Sequence, residues 1–383
     1  MKTVRLGDVT EVVSGGTPKT SVSEYWGGEI PWATPKDLSE QKAQYISSTS
    51  RTITQAGLDR SSAVLLPRKS VLLSSRAPIG LVAINTVDMA TNQGFKSLVP
   101  DSSKLDYRYL YHWMKANVER MVSLGVGATF KEISKKVVSN VEIPLPSLAE
   151  QRRIAGVLSR VNALHGKVAE TLNSYSMLET SKSALLIESC ATSVKIGDFI
   201  ESSQYGTSKK SENVGPTPVL RMGNITDDGN VSVADLKYTD IQDEEAGKYT
   251  LREGDLLFNR TNSVEKVGKA AVVHGLDGYA YAGYLIRIRF KEGLHPEYVS
   301  AFLRSPRGVA TRKSLAKTAV NQANINAKEF AGIEIPFPSS AEQEALVRTI
   351  SYVRSQQKKM VGVLNQLEEL RSALQYRAFR GEL

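Results

Sequence analysis

The sequence is poor in the residues that build disulfides and zinc sites. It contains one cysteine, Cys190, and four histidines in 383 residues. A single cysteine cannot form an intramolecular disulfide, and no two of the histidines are near each other in the chain, so no usual zinc ligand set can be assembled. We therefore expect a protein of a reducing compartment that holds no metal.

Long apolar runs are also absent. No stretch of about 18 or more consecutive apolar residues occurs, which is the length that a membrane-spanning helix needs. The first ten residues lack the apolar core of a secretory signal. These absences predict a cytoplasmic protein without a membrane segment. The net charge of +9 permits a polyanionic partner but does not require one.

The motifs that mark common enzymes are missing as well. No Gly-Lys pair has the earlier glycine of a phosphate-binding P-loop, and no dinucleotide fingerprint or Asn-Pro-Pro-Tyr-like methyltransferase tetrapeptide occurs. Asp243, Glu244 and Glu245, with Lys248 close by, superficially resemble a nuclease site, but such a charged segment is more often a solvated surface. We expect a non-catalytic protein that binds no cofactor.

What the sequence does contain is an internal repeat. Segment 141–151, VEIPLPSLAEQ, returns as segment 333–343, IEIPFPSSAEQ, with eight of eleven positions identical. Val4–Val9 likewise returns as Val194–Phe199, so the two copies begin and end in step. The repeat predicts two equivalent halves of about 190 residues each.

Each half divides into a mixed region and a helical region. The mixed region alternates short β-branched and aromatic runs with Gly, Pro, Asn and Asp, a pattern typical of strands and turns. After each Pro-x-Pro-Ser break comes a stretch without proline, whose apolar residues recur mostly three and four positions apart, as in a coiled-coil seam. The stripe that we expect to form the helix-pairing, partner-binding face comprises Ile154, Leu158, Val161, Leu172, Leu346, Ile350, Val353 and Leu364.

These features predict a mixed α/β (α+β) fold with pseudo-twofold symmetry, in which two globular domains are joined by two long helices that pair as an antiparallel coiled coil. The predicted boundaries are a first domain at 1–147, a central helix at 148–190, a second domain at 191–339 and a C-terminal helix at 340–383. A helix from about Ala149 to Ser189 would be about 60 Å long and would suit a spacer. The alternative for such apolar stripes is burial in the core of each domain.

Several motifs together resemble the specificity subunits of type I restriction-modification systems. They are the doubled Ile-Pro-x-Pro-Ser-x-x-Glu-Gln boundary, segments 91–95 (TNQGF) and 257–262 (LFNRTN), and the C-terminal segment 379–383 (FRGEL). The resemblance implies two target-recognition domains that read a two-part asymmetric site on double-stranded DNA. It also implies two methyltransferase subunits as partners, two restriction motor subunits in the full complex, and no catalytic residue in this chain.

The first candidates for contact with DNA are residues at the ends of apolar runs. Arg76 and Arg260 each follow a strand-like segment and precede a turn, so we expect them to have equivalent roles, each aimed at DNA. The alternative is a strand end fixed by an ion pair. Asn92 and Gln93 carry amides suited to adenine edges, although an amide equally well ties a loop to its own backbone.

The other candidates lie mainly in polar segments that precede each boundary motif, where a scaffold commonly displays its binding loops. Arg312, Lys313 and Lys317 belong to a run without acidic residues between Glu297 and Glu329, and we expect them to contact phosphates rather than bases. The remaining predicted DNA-binding residues are Lys131, Asn262, Asn321, Gln322 and Asn324.

Two other functions fit the same sequence. One is a repeat scaffold that binds only protein, and the other is the specificity partner of a stand-alone DNA methyltransferase or of a type II enzyme. Retention on DNA at two salt concentrations separates a DNA-binding protein from a scaffold, because phosphate contacts weaken steeply as salt rises.

Overall fold

The computed structural model describes residues 2–41, 43–76, 78–127, 131–319 and 322–383. The chain forms two compact units: unit 1 comprises residues 1–169 and 362–383, and unit 2 comprises residues 170–361. Each unit contains a globular region of mixed helices and strands and a part of each long helix. The mixed fold class and the two long helices predicted from the sequence are confirmed.

A five-stranded sheet forms the centre of unit 1. Its strands are, in spatial order, Thr10–Ser14, Lys96–Pro100, Val71–Leu73, Val82–Asn85 and Tyr45–Ile46. A three-stranded sheet consists of Thr52–Ile53, Trp26–Ala33 and Ala90–Thr91. The helices of the globular region are Leu6–Val9, Pro35–Gln41, Gln55–Asp59, Tyr107–Ala116, Val118–Ser123 and Lys135–Asn140, with a 3₁₀ turn at Ser23–Tyr25.

Unit 2 has a similar plan with a different number of strands and sheets. Its central sheet has four strands, in the order Ile200–Tyr205, Leu285–Phe290, Leu256–Asn259 and Ala270–Val272. Two three-stranded sheets consist of Lys237–Thr239, Thr217–Leu220 and Ala280–Tyr281, and of Thr261–Asn262, Gln322–Asn324 and Lys317–Ala319. The helices and 3₁₀ turns are Ile196–Phe199, Met222–Asn224, Asp243–Tyr249, Pro296–Arg304, Pro306–Leu315 and Ala327–Ala331.

The two repeated motifs of each half pair with each other. In unit 1 the strand Thr3–Arg5 pairs antiparallel with Glu142–Pro144. In unit 2 Ser193–Lys195 pairs in the same way with Glu334–Pro336. The pairing closes each globular region at the point where its long helix begins, which explains why the two motifs recur together in the sequence.

The long helices run from Leu148 to Ser189, 42 residues, and from Ser340 to Ala378, 39 residues. In unit 2, the side-chain amide of Gln357 donates to Ser176 Oγ at 3.0 Å. Further along, Ile187 shares a buried cluster with Leu346 and Ile350. Because a later position on the first helix contacts an earlier position on the second, the two segments run antiparallel within the unit. In unit 1 the same direction brings Ile154 into one cluster with Ala378.

Both long helices also contribute to the cores of the globular regions. Ile154, Ala155 and Leu158 lie in the main cluster of unit 1, together with the helix Tyr107–Ala116. Leu346 and Ile350 lie in the main cluster of unit 2, where Tyr298 and Phe302 are fully buried. At one end of each long helix, the apolar stripe is therefore buried in the core of a globular region, as the alternative interpretation of the sequence pattern predicts. Beyond that end, the two helices pair with each other.

Candidate nucleic-acid interface

In unit 1, the predicted residues gather where three segments meet at a strand end. The Ser75 backbone N–H donates to the Gly94 carbonyl at 2.7 Å, and the Ile133 N–H donates to the Ser75 carbonyl at 2.9 Å. Arg76 adjoins Ser75, Gln93 adjoins Gly94, and Lys131 lies two residues before Ile133. These backbone hydrogen bonds fix Arg76, Asn92, Gln93 and Lys131 in one region, which we call the strand-end surface of unit 1.

Arg76 is half exposed and holds an ion pair. Its Nε lies 2.9 Å from Glu132 Oε2, and its side chain is 49% exposed. Lys96 Nζ lies 3.3 Å from the other Glu132 oxygen. Burial acts to raise the pKa of Glu132, but hydrogen bonds from Arg76 and Lys96 outweigh it and hold that pKa below its usual range. Glu132 therefore stays ionised and orients the Arg76 guanidinium.

The side-chain amides of Asn92 and Gln93 differ in their surroundings. Asn92 Oδ1 accepts the Gly94 backbone N–H at 2.9 Å, so this side chain braces its own loop. Gln93 is exposed, and its Oε1 accepts a hydrogen bond from the Thr17 hydroxyl. Lys131 is exposed. Arg76, Gln93 and Lys131 together offer one guanidinium, one amide and one ammonium group to solvent.

The corresponding strand-end surface of unit 2 comprises Arg260, Asn262, Lys317, Gln322 and Asn324. Arg260 donates its backbone N–H to the Tyr284 carbonyl at 3.0 Å and accepts the Ile325 N–H at 2.9 Å. Thr261–Asn262 pairs with the strand Gln322–Asn324, and that strand pairs with Lys317–Ala319. The Asn324 side-chain amide donates to Thr261 Oγ1 at 2.9 Å. The sheet therefore brings the predicted polar residues of this unit together.

Arg260 stacks on an aromatic ring. Its guanidinium carbon lies 4.8 Å from the centroid of Tyr205, which holds the planar group by a cation–π contact. Its Nε is buried without a hydrogen-bond partner. A guanidinium held in one plane suits bidentate recognition of a guanine edge or a phosphate.

The expected equivalence of Arg76 and Arg260 needs correction by one residue. Ile133 bonds to the Ser75 carbonyl, and Ile325 bonds to the Arg260 carbonyl at the matching position of the repeat. Arg260 therefore matches Ser75, and Arg76 matches Thr261. The two arginines therefore occupy neighbouring rather than identical positions of the repeat.

The expectation of a phosphate contact for Arg312 is corrected as well. Arg312 is only 8% exposed, and it donates to the Leu303 and Val267 carbonyls at 3.0 and 2.8 Å. Burial lowers its pKa, and its hydrogen bonds link the helix Pro306–Leu315 to the rest of the unit. Lys313 is exposed, Lys317 pairs with Glu329 at 2.6 Å while remaining 79% exposed, and Asn321 lies outside the described residues.

The apolar stripe predicted for partner binding is used largely inside the chain. Six of its members are buried, namely Ile154, Leu158, Val161, Leu346, Ile350 and Val353. Leu172 and Leu364 are partly exposed. The buried members have intramolecular contacts, and a role for the stripe in binding a separate subunit stays a prediction.

The sequence analysis did not single out Glu132 or Tyr205, the side chains that orient the two arginines. Tyr205 ends a strand of alternating exposure, and Glu132 lies two residues before Ser134, which caps the next helix. The only local feature that could have indicated Glu132 or Tyr205 is a polar or aromatic side chain next to the boundary of a helix or strand. The described residues contain no cluster of metal-ligand side chains. Among them, no helix is long and apolar enough to cross a membrane.

Comparison with protein families gives a match over both halves of the chain. The family model for the type I restriction modification DNA specificity domain matches residues 1–174 and 190–369. The chain is 43% identical over 157 residues to the type I restriction enzyme MjaIX specificity subunit of Methanocaldococcus jannaschii, a match that covers 40% of this chain and 36% of the relative. It is 26% identical over 311 residues to the EcoKI specificity subunit of Escherichia coli K12, covering 72% of this chain and 65% of the relative. These matches span less than two thirds of either relative's length.

Solved structures share the fold over the whole chain. The S subunit of a type I restriction-modification system from M. genitalium superimposes with a TM-score of 0.64 at 14% identity, covering 99% of this chain and 96% of that one. A second chain, from a study of complex assembly and conformational transition of the type I R-M system, gives a TM-score of 0.59 at 18% identity, covering 100% and 98%.

Proposed function

The chain belongs to the type I restriction modification DNA specificity family, and on this premise we propose that it is the subunit that selects the DNA site for a methylating and restricting complex. Unit 1 binds one part of a two-part asymmetric site on double-stranded DNA, and unit 2 binds the other. The chain itself is non-catalytic and acts in the cytoplasm.

The observation that carries this proposal is that the same backbone frame displays different side chains in the two units. The cross-strand pair Arg76 and Glu132 of unit 1 is matched in unit 2 by Thr261 and Asn324. A guanidinium and carboxylate pair presents groups that suit guanine and cytosine, whereas an amide suits adenine. Because the two strand-end surfaces present different hydrogen-bond donors and acceptors, they favour two different half-sites. The DNA sequence recognised by the whole chain is then asymmetric.

The exposed cations and the base-reading groups have separate tasks in this proposal. Lys131, Lys313 and Lys317 are exposed and supply contacts to phosphates, which carry affinity but little sequence information. Arg76 and Gln93 in unit 1, and Arg260 with its neighbouring amides in unit 2, supply contacts to base edges. Asn92 serves as a brace for the loop that carries Gln93.

The reaction belongs to partner subunits. Two methyltransferase subunits supply methyl transfer to adenine, and two restriction motor subunits join them in the full complex. A specificity partner of a stand-alone methyltransferase or a type II enzyme would use the same surfaces, so the subunits that copurify with the chain separate these cases. A protein-only scaffold would show no salt-dependent retention on DNA.

The test is methylation sequencing of genomic DNA from a host that produces the methyltransferase subunit with or without this chain. We expect methylation at one two-part asymmetric motif, only when both proteins are present. Methylation of the same sites by the methyltransferase subunit alone would contradict the proposal. Metal-dependent cleavage of DNA by the purified chain would contradict its non-catalytic part.

A further inference from the structure

Each unit contains a cleft at the junction between its globular region and the first turns of a long helix. Gln151 marks the junction in unit 1: it accepts the Asp106 backbone N–H at 2.8 Å and donates to the Lys104 and Pro146 carbonyls at 2.9 Å. In unit 2, Gln343 accepts the His295 N–H at 2.8 Å and donates to the Gly293 and Pro338 carbonyls at 3.0 and 3.1 Å. The two clefts are therefore equivalent positions of the repeat.

The opposite wall of each cleft is equivalent as well. The Arg68 backbone N–H donates to Asp88 Oδ1 at 2.8 Å, and the Glu253 N–H donates to Asp277 Oδ1 at 3.0 Å. The next residue has a positive φ in both units, 71° at Lys69 and 81° at Gly254. Arg68 and Glu253 therefore occupy the same place in the two frames.

Side-chain charge is reversed at three matched positions around these clefts. The hydrogen bonds of the two glutamines and of the two aspartates fix which residues of the two units correspond. In this register, the residues of unit 1 and their counterparts in unit 2 are Arg68 and Glu253, Arg108 and Glu297, and Arg152 and Glu344. Glu253 and Glu344 are 60% and 59% exposed. Glu297 is buried and pairs with Arg354 and His274, so its charge is used internally.

The unit 1 cleft is consequently basic. Among the described residues that line it, Arg68, Lys69, Arg108 and Arg152 are cationic, and Asp106 is the acidic one. Asp106 accepts the Arg108 and Tyr109 backbone N–H groups as a helix cap. Arg152 is 61% exposed and lies 3.9 Å from Asp106, and Arg68 is exposed. In the unit 2 cleft, five of the described lining residues are acidic and three are lysine or arginine.

A DNA duplex does not fit this distribution of charge. If both clefts bound a DNA duplex, both would face its phosphates. Both would then need positive charge, which only the unit 1 cleft has. The cleft residues Arg68 and Lys69 precede the strand Val71–Leu73 and Arg76 follows it, so the cleft and the strand-end surface lie at opposite ends of that strand. A duplex read at the strand-end surface is therefore remote from it along the strand.

We propose that the basic cleft of unit 1 is a docking site for an acidic surface segment of one methyltransferase subunit, and that the acidic cleft of unit 2 offers no such site. This inference rests on the proposed function, from which the two methyltransferase subunits come. Two identical copies present the same acidic segment, so they meet an attractive cleft at one position and a repulsive one at the other. The copy at unit 2 binds without this contact, so the two copies differ in affinity and bind in a fixed order.

The test titrates the full-length chain with its methyltransferase subunit by isothermal titration calorimetry, at low and at high salt. Variant R68E/R152E reverses two exposed charges of the cleft, and K136E makes the same kind of change at an exposed lysine that is not among the described lining residues. We expect two binding steps in the natural protein, the tighter of which weakens as salt rises. We expect R68E/R152E to weaken that step by about tenfold or more, while K136E leaves it unchanged.

Each outcome decides a separate point. Two equal steps, or equal effects of R68E/R152E and K136E, would overturn the docking inference while leaving the proposed function intact. No complex at all with the natural chain would overturn both. A parallel measurement of affinity for a random duplex identifies a nucleic-acid site: loss of duplex binding in R68E/R152E without loss of the tight subunit step would replace the protein partner by DNA. Thermal melting that matches the natural protein excludes misfolding of the variants.

Discussion

Single buried polar side chains hold each junction between globular region and long helix. Gln151 is fully buried and makes three hydrogen bonds to backbone groups. The variant Gln151→Leu leaves those groups buried and unpaired, so we expect the free energy of unfolding to fall by about 2–4 kcal/mol. Urea unfolding followed by circular dichroism measures the change. Gln55→Leu, at an exposed glutamine of the same unit, is the control, and an equal loss in both variants would contradict this role.

His274 makes the stability of unit 2 depend on pH. Its Nε2 lies 2.5 Å from Glu297 and its Nδ1 lies 2.6 Å from Glu253. The hydrogen bond to Glu297, followed by that to Glu253, raises the pKa of His274 above its usual value. The stabilisation by the imidazolium is therefore fully present below the ordinary histidine pKa, and it is lost as pH rises through the higher pKa of the folded state.

The measurement is the difference in unfolding free energy between the natural protein and His274→Gln, from about pH 5 to about pH 8. We expect the difference to be largest at the acid end and to shrink as pH rises. Burial lowers the pKa of His295 and lowers that of His112 to about 4, so both histidines destabilise the fold as pH falls, the opposite of His274. Because both are present in the two proteins, their contribution largely cancels in the difference. A difference that grew toward alkaline pH would contradict the assignment.

At the scale of elements, one end of each long helix is buried in the core of a globular region. Ile350 is fully buried in the main cluster of unit 2, whereas Val361 of the same helix is 48% exposed. We expect Ile350→Ala to lower the free energy of unfolding by about 2–5 kcal/mol and Val361→Ala to change it by less than about 0.5 kcal/mol. Guanidinium unfolding of both variants gives the comparison. Equal effects would mean that the helix is not part of the core of unit 2.

The sequence predicts elements whose signal is local or repeated. The helix expected from about Ala149 to Ser189 is observed from Leu148 to Ser189, because helical spacing and the Pro-Ser boundary both lie within the segment itself. The antiparallel direction follows from the repeat and is confirmed within unit 2. These predictions need no knowledge of long-range strand pairing.

Strand register and burial could not be predicted in the same way. The match of Arg76 with Arg260 fails by one residue, since register depends on hydrogen bonds between Ser75 and Ile133, which are far apart in the sequence. Arg312 is expected to contact phosphates because it lies in a run without acidic residues between Glu297 and Glu329. Its burial depends on acceptors at Val267 and Leu303 that no local pattern indicates.

At the scale of the whole molecule, one frame is used twice with different side chains. The frame is preserved in the paired glutamines and in the closing strand pairs. The chemistry differs both at the strand-end surfaces and at the junction clefts. The two units therefore share a backbone frame and differ in the side chains that they display at the strand-end surfaces and the junction clefts.

The claim that the two units read separate half-sites predicts that they can be altered separately. Methylation sequencing of a host that carries the methyltransferase subunit would compare R76A/Q93A, in unit 1, with R260A/N262A, in unit 2. Each lost base contact relaxes discrimination by about 1–3 kcal/mol at the position it reads. We expect each variant to relax one part of the two-part motif and to leave the other part unchanged, and relaxation of both parts by either variant would contradict the account.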